Sequence, residues 1–132
     1  MITVFADTSF YLAFLNPDDE FPSRSVEFTS NFNGKMLTTA WVLTELVDAL
    51  SRPVDRQTVV DFVAELQVDP QVVIRPAEQA LFDLGFELFR RRLDKYWSLT
   101  DCMSFAVMEQ QGLISALTSD HHFEQAGFRI LL

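Results

Sequence analysis

Two spacings of apolar residues take turns along this chain, one suited to strands and one to helices. Ile2–Ala6 is an unbroken run of β-branched, aromatic and small residues, which predicts a strand. Asp7, Thr8 and Ser9 follow, and then the apolar stretch Phe10–Leu15, which predicts a helix capped by those oxygen-bearing residues. Asn16–Pro22 is rich in turn formers and marks the end of that helix. Ser23 suits the cap of a second helix through about Asn31, with Val26 and Phe28 or Phe32 turned inward. After the Asn33-Gly34 turn, Lys35–Thr39 predicts a second strand. Thr39 then caps a helix over about Ala40–Ser51, in which Leu43, Leu46, Val47 and Leu50 recur at helical spacing. Arg52-Pro53 closes it. Asp55–Leu66 repeats the pattern with Val59, Phe62, Val63 and Leu66. Val72–Ile74, set between Pro70 and Pro76, predicts a third strand. Ala77–Tyr96 predicts a long helix buried along Leu81, Leu84, Leu88 and Arg92. Ser98–Asp101 opens a helix that stops at Gly112. Ile114–Leu117 predicts a fourth strand and Phe128–Leu132 a short fifth.

Strands that alternate with helices imply parallel crossovers. The expected fold is therefore α/β, a three-layer α/β/α sandwich with a mainly parallel central sheet of four to five strands. No repeat or linker divides the chain, so residues 1–132 read as a single domain. At 132 residues and 48% apolar, it can bury a substantial core. No apolar run approaches the ~20 residues that span a bilayer, so no membrane is expected. There is also no cationic-then-apolar leader at the start, and Cys102 has no partner for an internal disulfide. Together these read as a cytoplasmic protein. Burial in a helix is the expected role for Cys102.

The net charge of −9 argues against broad electrostatic binding to nucleic acid. The cations are unevenly spread, however. Arg90, Arg91, Arg92 and Lys95 fall close together, and a local field can oppose the net charge.

In an open parallel sheet, sites form at the carboxyl ends of the strands. Asp7 follows the first strand, and Asp120 follows the fourth after Thr118-Ser119. Glu45 lies about two turns into the helix leaving the second strand. Asp101 lies in the first turn of the helix running back toward the fourth strand, so it begins at the same edge. Each acid has an ordinary explanation. Asp7 can cap a helix, Asp101 with Ser98 forms a capping box, Glu45 is an exposed helix residue, and Asp120 sits in a turn. Their meeting at one edge is what the ordinary explanations leave out. Such a cluster needs cations, and oxygen ligands favour Mg²⁺ or Mn²⁺ over zinc. Two ions ~3.5–4 Å apart would suit hydrolysis of a phosphodiester, one activating water and the other stabilising the leaving oxygen.

Val4–Ser9, Thr44-Glu45-Leu46, Ser98–Ser104 and Leu117–Phe123 with Gly127-Phe128, in that order and spacing, resemble the PIN-domain ribonucleases. Within them the chain resembles the VapC type, found as the toxin of a bacterial or archaeal toxin–antitoxin pair. The resemblance covers nearly the whole chain. It implies a metal-dependent endoribonuclease, an RNA substrate, an antitoxin protein as partner and a homodimer. It places the family's acidic positions on Asp7, Glu45, Asp101 and Asp120. Asp7 and Asp101 would be the principal metal ligands, while Glu45 and Asp120 would complete the set directly or through water. Thr118 and Ser9 would orient water or a carboxylate. Many relatives carry a further acid just after the last of these. Here His121 and His122 stand there, which leaves the second metal position open. Histidines can bind a transition metal or act as acid and base. Adjacent residues at a strand end point apart, however, so these read as turn or edge residues, with an approach of one to the scissile phosphate left open.

Arg90, Arg91, Arg92 and Lys95, with Tyr96 and Trp97 beside them, are the candidate RNA contact, since Arg holds phosphates and aromatic faces stack bases. The same run also reads as a solvated helix face interleaved with Glu87 and Asp94. Two other classes stay open at this point. One is a PIN-fold binding module using an exposed patch of Phe10, Tyr11, Phe14, Phe28 and Phe32. The other is a metal-dependent phosphatase or DNase, since metal-assisted phosphate chemistry does not choose the ester.

Overall fold

A computed structural model describes residues 2–15 and 22–132. The strand Thr3–Ala6 (β1) is the middle of a five-stranded sheet. On one side it pairs with Lys35–Thr39 (β2), which pairs with Val72–Arg75 (β3). On the other it pairs with Ser115–Leu117 (β4), which pairs with Arg129–Ile130 (β5). The order is β3-β2-β1-β4-β5, and every pairing is parallel. The helices are α1 (Thr8–Leu15), α2 (Pro22–Asn31), α3 (Ala40–Ala49), α4 (Pro53–Val68), α5 (Gln79–Arg91), α6 (Leu99–Gln111) and α7 (His122–Gln125).

The chain steps from β1 to β2 to β3 in one direction, then crosses back to β4 and β5. Right-handed crossovers therefore put α1–α4 on one face and α5–α7 on the other, giving three layers. The reversal falls between β1 and β4, where an open sheet parts its loops and leaves room for a ligand. The inner strands are buried on both faces. Val4, Phe5 and Ala6 lie in the core, as do Met36–Thr39, Ala116 and Leu117. This is why they read as continuous apolar runs.

Aromatic packing anchors each face. On one, Phe10 meets Phe14 edge-on at 5.2 Å and Tyr11 meets Phe62 at 5.6 Å. On the other, Phe105 packs against Phe123 at 4.9 Å and against Trp97 at 5.1 Å. The patch expected of Phe10, Tyr11, Phe14, Phe28 and Phe32 is not exposed. Phe10 and Tyr11 are buried, and the other three pack partly buried against the core. Among the described residues, the exposed aromatics are instead Phe86 and Phe89 of α5 and Tyr96 beyond it.

Several element ends depart from expectation. The turn reading at Asn16–Pro22 lies outside the described residues up to Phe21, and Pro22 opens α2. The helix expected to reach Tyr96 ends at Arg91. Trp97 must turn inward to Phe105, and Ser98 must cap α6, so the chain leaves the helix axis before them. The buried line of α5 runs through Leu81, Gly85 and Leu88 rather than the exposed Leu84. A Cβ on Gly85 would collide with Met103, so this glycine sets the close approach of α5 to α6. Val47, expected inside, is exposed on α3, while Val42 is fully buried.

Candidate functional site

Sheet pairing continues up to the first acid. The Asp7 amide donates to the Leu117 carbonyl at 3.1 Å, and the Asp7 carbonyl accepts from the Phe10 amide at 3.2 Å as α1 begins. The backbone of Asp7 thus joins strand to helix. Its carboxylate accepts from the Thr8 amide and from Thr118 Oγ1, the latter at 2.9 Å.

Thr118 leaves β4 beside it and organises the neighbourhood. Its hydroxyl has one proton and two lone pairs. The proton goes to Asp7 Oδ2, and one lone pair accepts from the Asp120 amide at 3.0 Å. Ser9 Oγ, 3.0 Å away, must therefore be the donor to Thr118, while it accepts from the Ser119 amide at 3.1 Å. The chain of bonds runs one way, Ser119 to Ser9 to Thr118 to Asp7. The family resemblance gives Thr118 and Ser9 the task of orienting water or a carboxylate; here Thr118 bonds the Asp7 carboxylate and Ser9 bonds Thr118.

Asp101 stands at the third position of α6 in a capping box. The Ser98 amide donates to Asp101 Oδ2 at 3.1 Å, and the Asp101 amide donates to Ser98 Oγ at 3.0 Å. The capping box is present as the ordinary reading expects, and it uses one carboxylate oxygen while leaving the group at the sheet edge. Asp120 Oδ1 accepts from the His122 amide at 2.9 Å. Glu45 is exposed on α3. Asp7, Glu45, Asp101 and Asp120 all line one cleft of ≈ 330 Å³ at the carboxyl edge of the sheet.

Two of these acids are held against their preference for charge. Burial pushes the Asp7 carboxyl up to about 7, against the Thr8 amide and Thr118 hydroxyl, and the charges of Asp101 and Glu45 push the same way. Burial also raises Asp101, opposed by the Ser98 amide. There the charge of Asp120 adds to the rise and His122 opposes it. Among the described residues, no lysine or arginine lines the cleft. Buried carboxylates without a cationic side chain are the condition in which a divalent cation is the natural partner.

Several lining residues were not assigned from sequence. His122, placed by sequence at a turn or edge, directs Nδ1 into the cleft, 3.2 Å from Asp101 Oδ2 and 3.3 Å from Asp120 Oδ1. The cause is α7, a single helical turn that the sequence reading did not include. The missed signal was the absence of any turn former from His121 to Ala126, just after an Asp suited to starting a helix. His121 is exposed. Thr8 also lines the cleft, is 5% exposed, and keeps Oγ1 buried without a hydrogen-bond partner among the described residues. Cys102, next to Asp101, is buried as expected, and burial pushes its thiol up to about 11.

The basic run precedes Tyr96, which lines the cleft, and is paired internally. Arg90 makes two bonds to Glu87, the closer at 2.6 Å, and Arg91 reaches the same carboxylate at 3.8 Å. Arg92 bonds Asp94 at 3.1 Å, and Lys95 lies 3.7 Å from it. Arg92 also sits 5.0 Å over the Trp97 ring. Trp97 is 5% exposed and donates its indole N–H to Gln125 Oε1, so it offers no face for a base. Tyr96 is 94% exposed and lines the cleft.

An α/β sandwich with acids gathered where its strand order reverses defines a class, and the chain belongs to the PIN domain family, which it matches over residues 4–129. Within that family it is similar to the 23S rRNA-specific endonuclease VapC20 of Mycobacterium tuberculosis. The two are 27% identical over 125 residues, covering 95% of each chain. The crystal structure of VapC20, a sarcin-ricin loop cleaving toxin, aligns with a TM-score of 0.86 over 95% of each chain. The fold is shared with FitAcB from Neisseria gonorrhoeae at TM-score 0.71 and 16% identity, over 98% of this chain and 96% of that one. It is shared also with DNA-bound VapBC from Salmonella typhimurium at TM-score 0.67 and 16% identity, over 98% and 97%. Among the described residues, no helix is long and apolar enough to cross a membrane.

Proposed function

We infer that the chain is a divalent-metal-dependent endoribonuclease of the VapC toxin type, hydrolysing RNA phosphodiester bonds at the cleft of Asp7, Glu45, Asp101 and Asp120. The observation that carries this reading is two buried, charge-penalised carboxylates facing a cleft without lysine or arginine among the described residues. That donor set fits a hard divalent cation, with Mg²⁺ or Mn²⁺ favoured by the oxygens. Asp7 and Asp101 would hold it, and Glu45 and Asp120 would complete the set. A cation there supplies Lewis-acid stabilisation of the charge that develops on the phosphate.

The chain's own residues do the rest. Thr118 fixes one oxygen of Asp7 and leaves the other for the site. The Ser98 amide holds Asp101 Oδ2, the oxygen that His122 Nδ1 approaches to 3.2 Å. Tyr96 offers an exposed ring on which an unpaired base can stack. Arg90, Arg91, Arg92 and Lys95 take flanking phosphates. Their present pairs are exposed and screened by water, so a phosphate can compete for them. RNA is preferred to DNA because VapC20 acts on 23S rRNA. A cytoplasmic protein that forms a homodimer and is held in check by an antitoxin protein completes the reading, with VapBC as the corresponding assembly in a relative.

The test is cleavage of a structured RNA by the purified chain with and without Mg²⁺. Cleavage is expected to need the cation and to stop in excess chelator. Asp7→Asn and Asp101→Asn are expected to lower it by on the order of 10³-fold, about 4 kcal/mol of barrier, with the circular dichroism unchanged. Full activity in both variants, or in chelator, would overturn the reading.

A further inference from the structure

Among the described residues that line the cleft, His122 is the one with a nitrogen donor in its side chain. Its Nδ1 lies 3.2 Å from Asp101 Oδ2 and 3.3 Å from Asp120 Oδ1. Neighbouring donors on one octahedral cation, each bonded at ~2.0–2.3 Å, stand about 3 Å apart. His122 Nδ1 already stands at about that spacing from each of the two carboxylate oxygens. Their placement is built by the backbone. The His122 amide is bonded to Asp120 Oδ1 at 2.9 Å, the Asp120 amide is bonded to Thr118, and Ser98 holds Asp101. Each of Asp120, His121 and His122 offers a donor atom within 4.8 Å of the others, though His121 faces solvent. A second feature points to a polar occupant. Thr8, on the same lining, keeps a buried hydroxyl oxygen without a partner among the described residues.

We propose that His122 Nδ1 is a cation ligand, forming with Asp101 and Asp120 a nitrogen-containing position that prefers first-row transition ions over Mg²⁺. This rests on the metal-dependent reading of the cleft and makes it more specific. Oxygen-only sites serve Mg²⁺ well. An imidazole nitrogen adds little for Mg²⁺, which is hard and retains its water, and more for Mn²⁺, Fe²⁺ or Co²⁺. His122 therefore decides which ion this chain selects from a mixture.

The experiment reads binding rather than turnover. The full chain is loaded with Mn²⁺ and examined by pulsed electron paramagnetic resonance for nitrogen coupling to the ion, and Mn²⁺ and Mg²⁺ affinities are measured by calorimetry. Nitrogen coupling is expected in the wild type and in His121→Ala. It is expected to vanish in His122→Asp, which restores an acid and keeps a ligand. The Mn²⁺ over Mg²⁺ preference should fall about tenfold in that variant. His122→Asn, with its circular dichroism checked, guards against a folding defect. Bound Mn²⁺ without nitrogen coupling, or coupling lost in His121→Ala instead, overturns the role of His122 and leaves the nuclease reading standing. An unchanged ion preference in His122→Asp does the same. No binding of either ion overturns both.

Discussion

At the carboxyl edge of the sheet, charges of one sign are drawn together below the surface. At the end of α5, charges of both signs stand in water. The contrast lies in how each group is satisfied. Asp7 has one hydroxyl and one amide to offset its burial, and the nearest charges, Asp101 and Glu45, repel it. Each cation from Arg90 to Lys95 has an acid within reach, Glu87 or Asp94. One of Asp94's contacts, with Arg92, holds its carboxyl below the usual range, and Arg90 does the same for Glu87. Folding would be served by the second arrangement everywhere. A fold that maintains the first is carrying an unfavourable interaction, and such interactions persist where a function depends on them.

The largest consequence is a stability cost that should appear when cations are removed. With its carboxyl raised from 3.8 to about 7, Asp7 holds a proton in the folded chain at pH values where the unfolded chain has lost it. Stability falls with pH wherever the native state binds more protons. In chelator, the protein is therefore expected to lose stability between about pH 3.8 and about pH 7, by at most roughly 4 kcal/mol from this residue. Asp7→Asn should flatten that slope and be more stable than the wild type at pH 8, while losing cleavage. Urea unfolding across pH in both proteins checks this. A wild type that gains stability across the same window would show that Asp7 is not strained.

A smaller effect sharpens the cleft side of the contrast. Thr118→Val removes the donor to Asp7 and the acceptor for the Asp120 amide at a buried position. The cost should be about 1–3 kcal/mol, because groups left unpaired keep their desolvation penalty. The hydroxyl lowers the Asp7 pKa, so losing it should move the pH midpoint of the Asp7-linked stability loss upward. Thr118→Ser keeps the oxygen and should restore both. Equal behaviour of the Val and Ser variants would mean that Thr118 acts by packing alone.

The sequence shows more of this edge than of its surroundings, for physical reasons. Asp7, Asp101 and Asp120 are each tied to an element boundary, and boundaries follow from strand runs and caps. Topology then brings the boundaries together, so the gathering of these acids is legible in the order of strands and helices. Leu84 stands in the expected line in place of Gly85 because apolar spacing looks for bulk, whereas α5 meets α6 through the missing side chain. The early aromatics seemed too many for the core because an apolar count takes no account of how α1, α2 and α4 share one face. His122 reads in sequence as a turn or edge residue because adjacent residues diverge on a strand, and α7 replaces that geometry with a helical turn. Trp97 looked like a partner of the basic run in sequence, but its indole turns inward to Gln125 and Phe105.

The basic run gives the smallest expected effect, and its members should not behave alike. Arg92 and Lys95 lie over the Trp97 ring at 5.0 Å and 5.9 Å, so part of their role is to cover it. Arg91 has only a long contact to Glu87, which Arg90 already occupies with two bonds. Arg91 is thus the cation released at least cost to a phosphate. In RNA-binding measurements over a series of salt concentrations, Arg91→Ala should shallow the dependence of log affinity on log salt by about 0.7, as for one lost phosphate contact on a single strand. Arg90→Ala should do so less, because breaking its pairing with Glu87 offsets part of the gain. Neither change should shift the unfolding midpoint appreciably, as their pairs are exposed. Identical slopes in wild type and both variants would make the run a solvated face. The contrast between the two charged regions would then be complete, with the cleft alone left to meet the RNA.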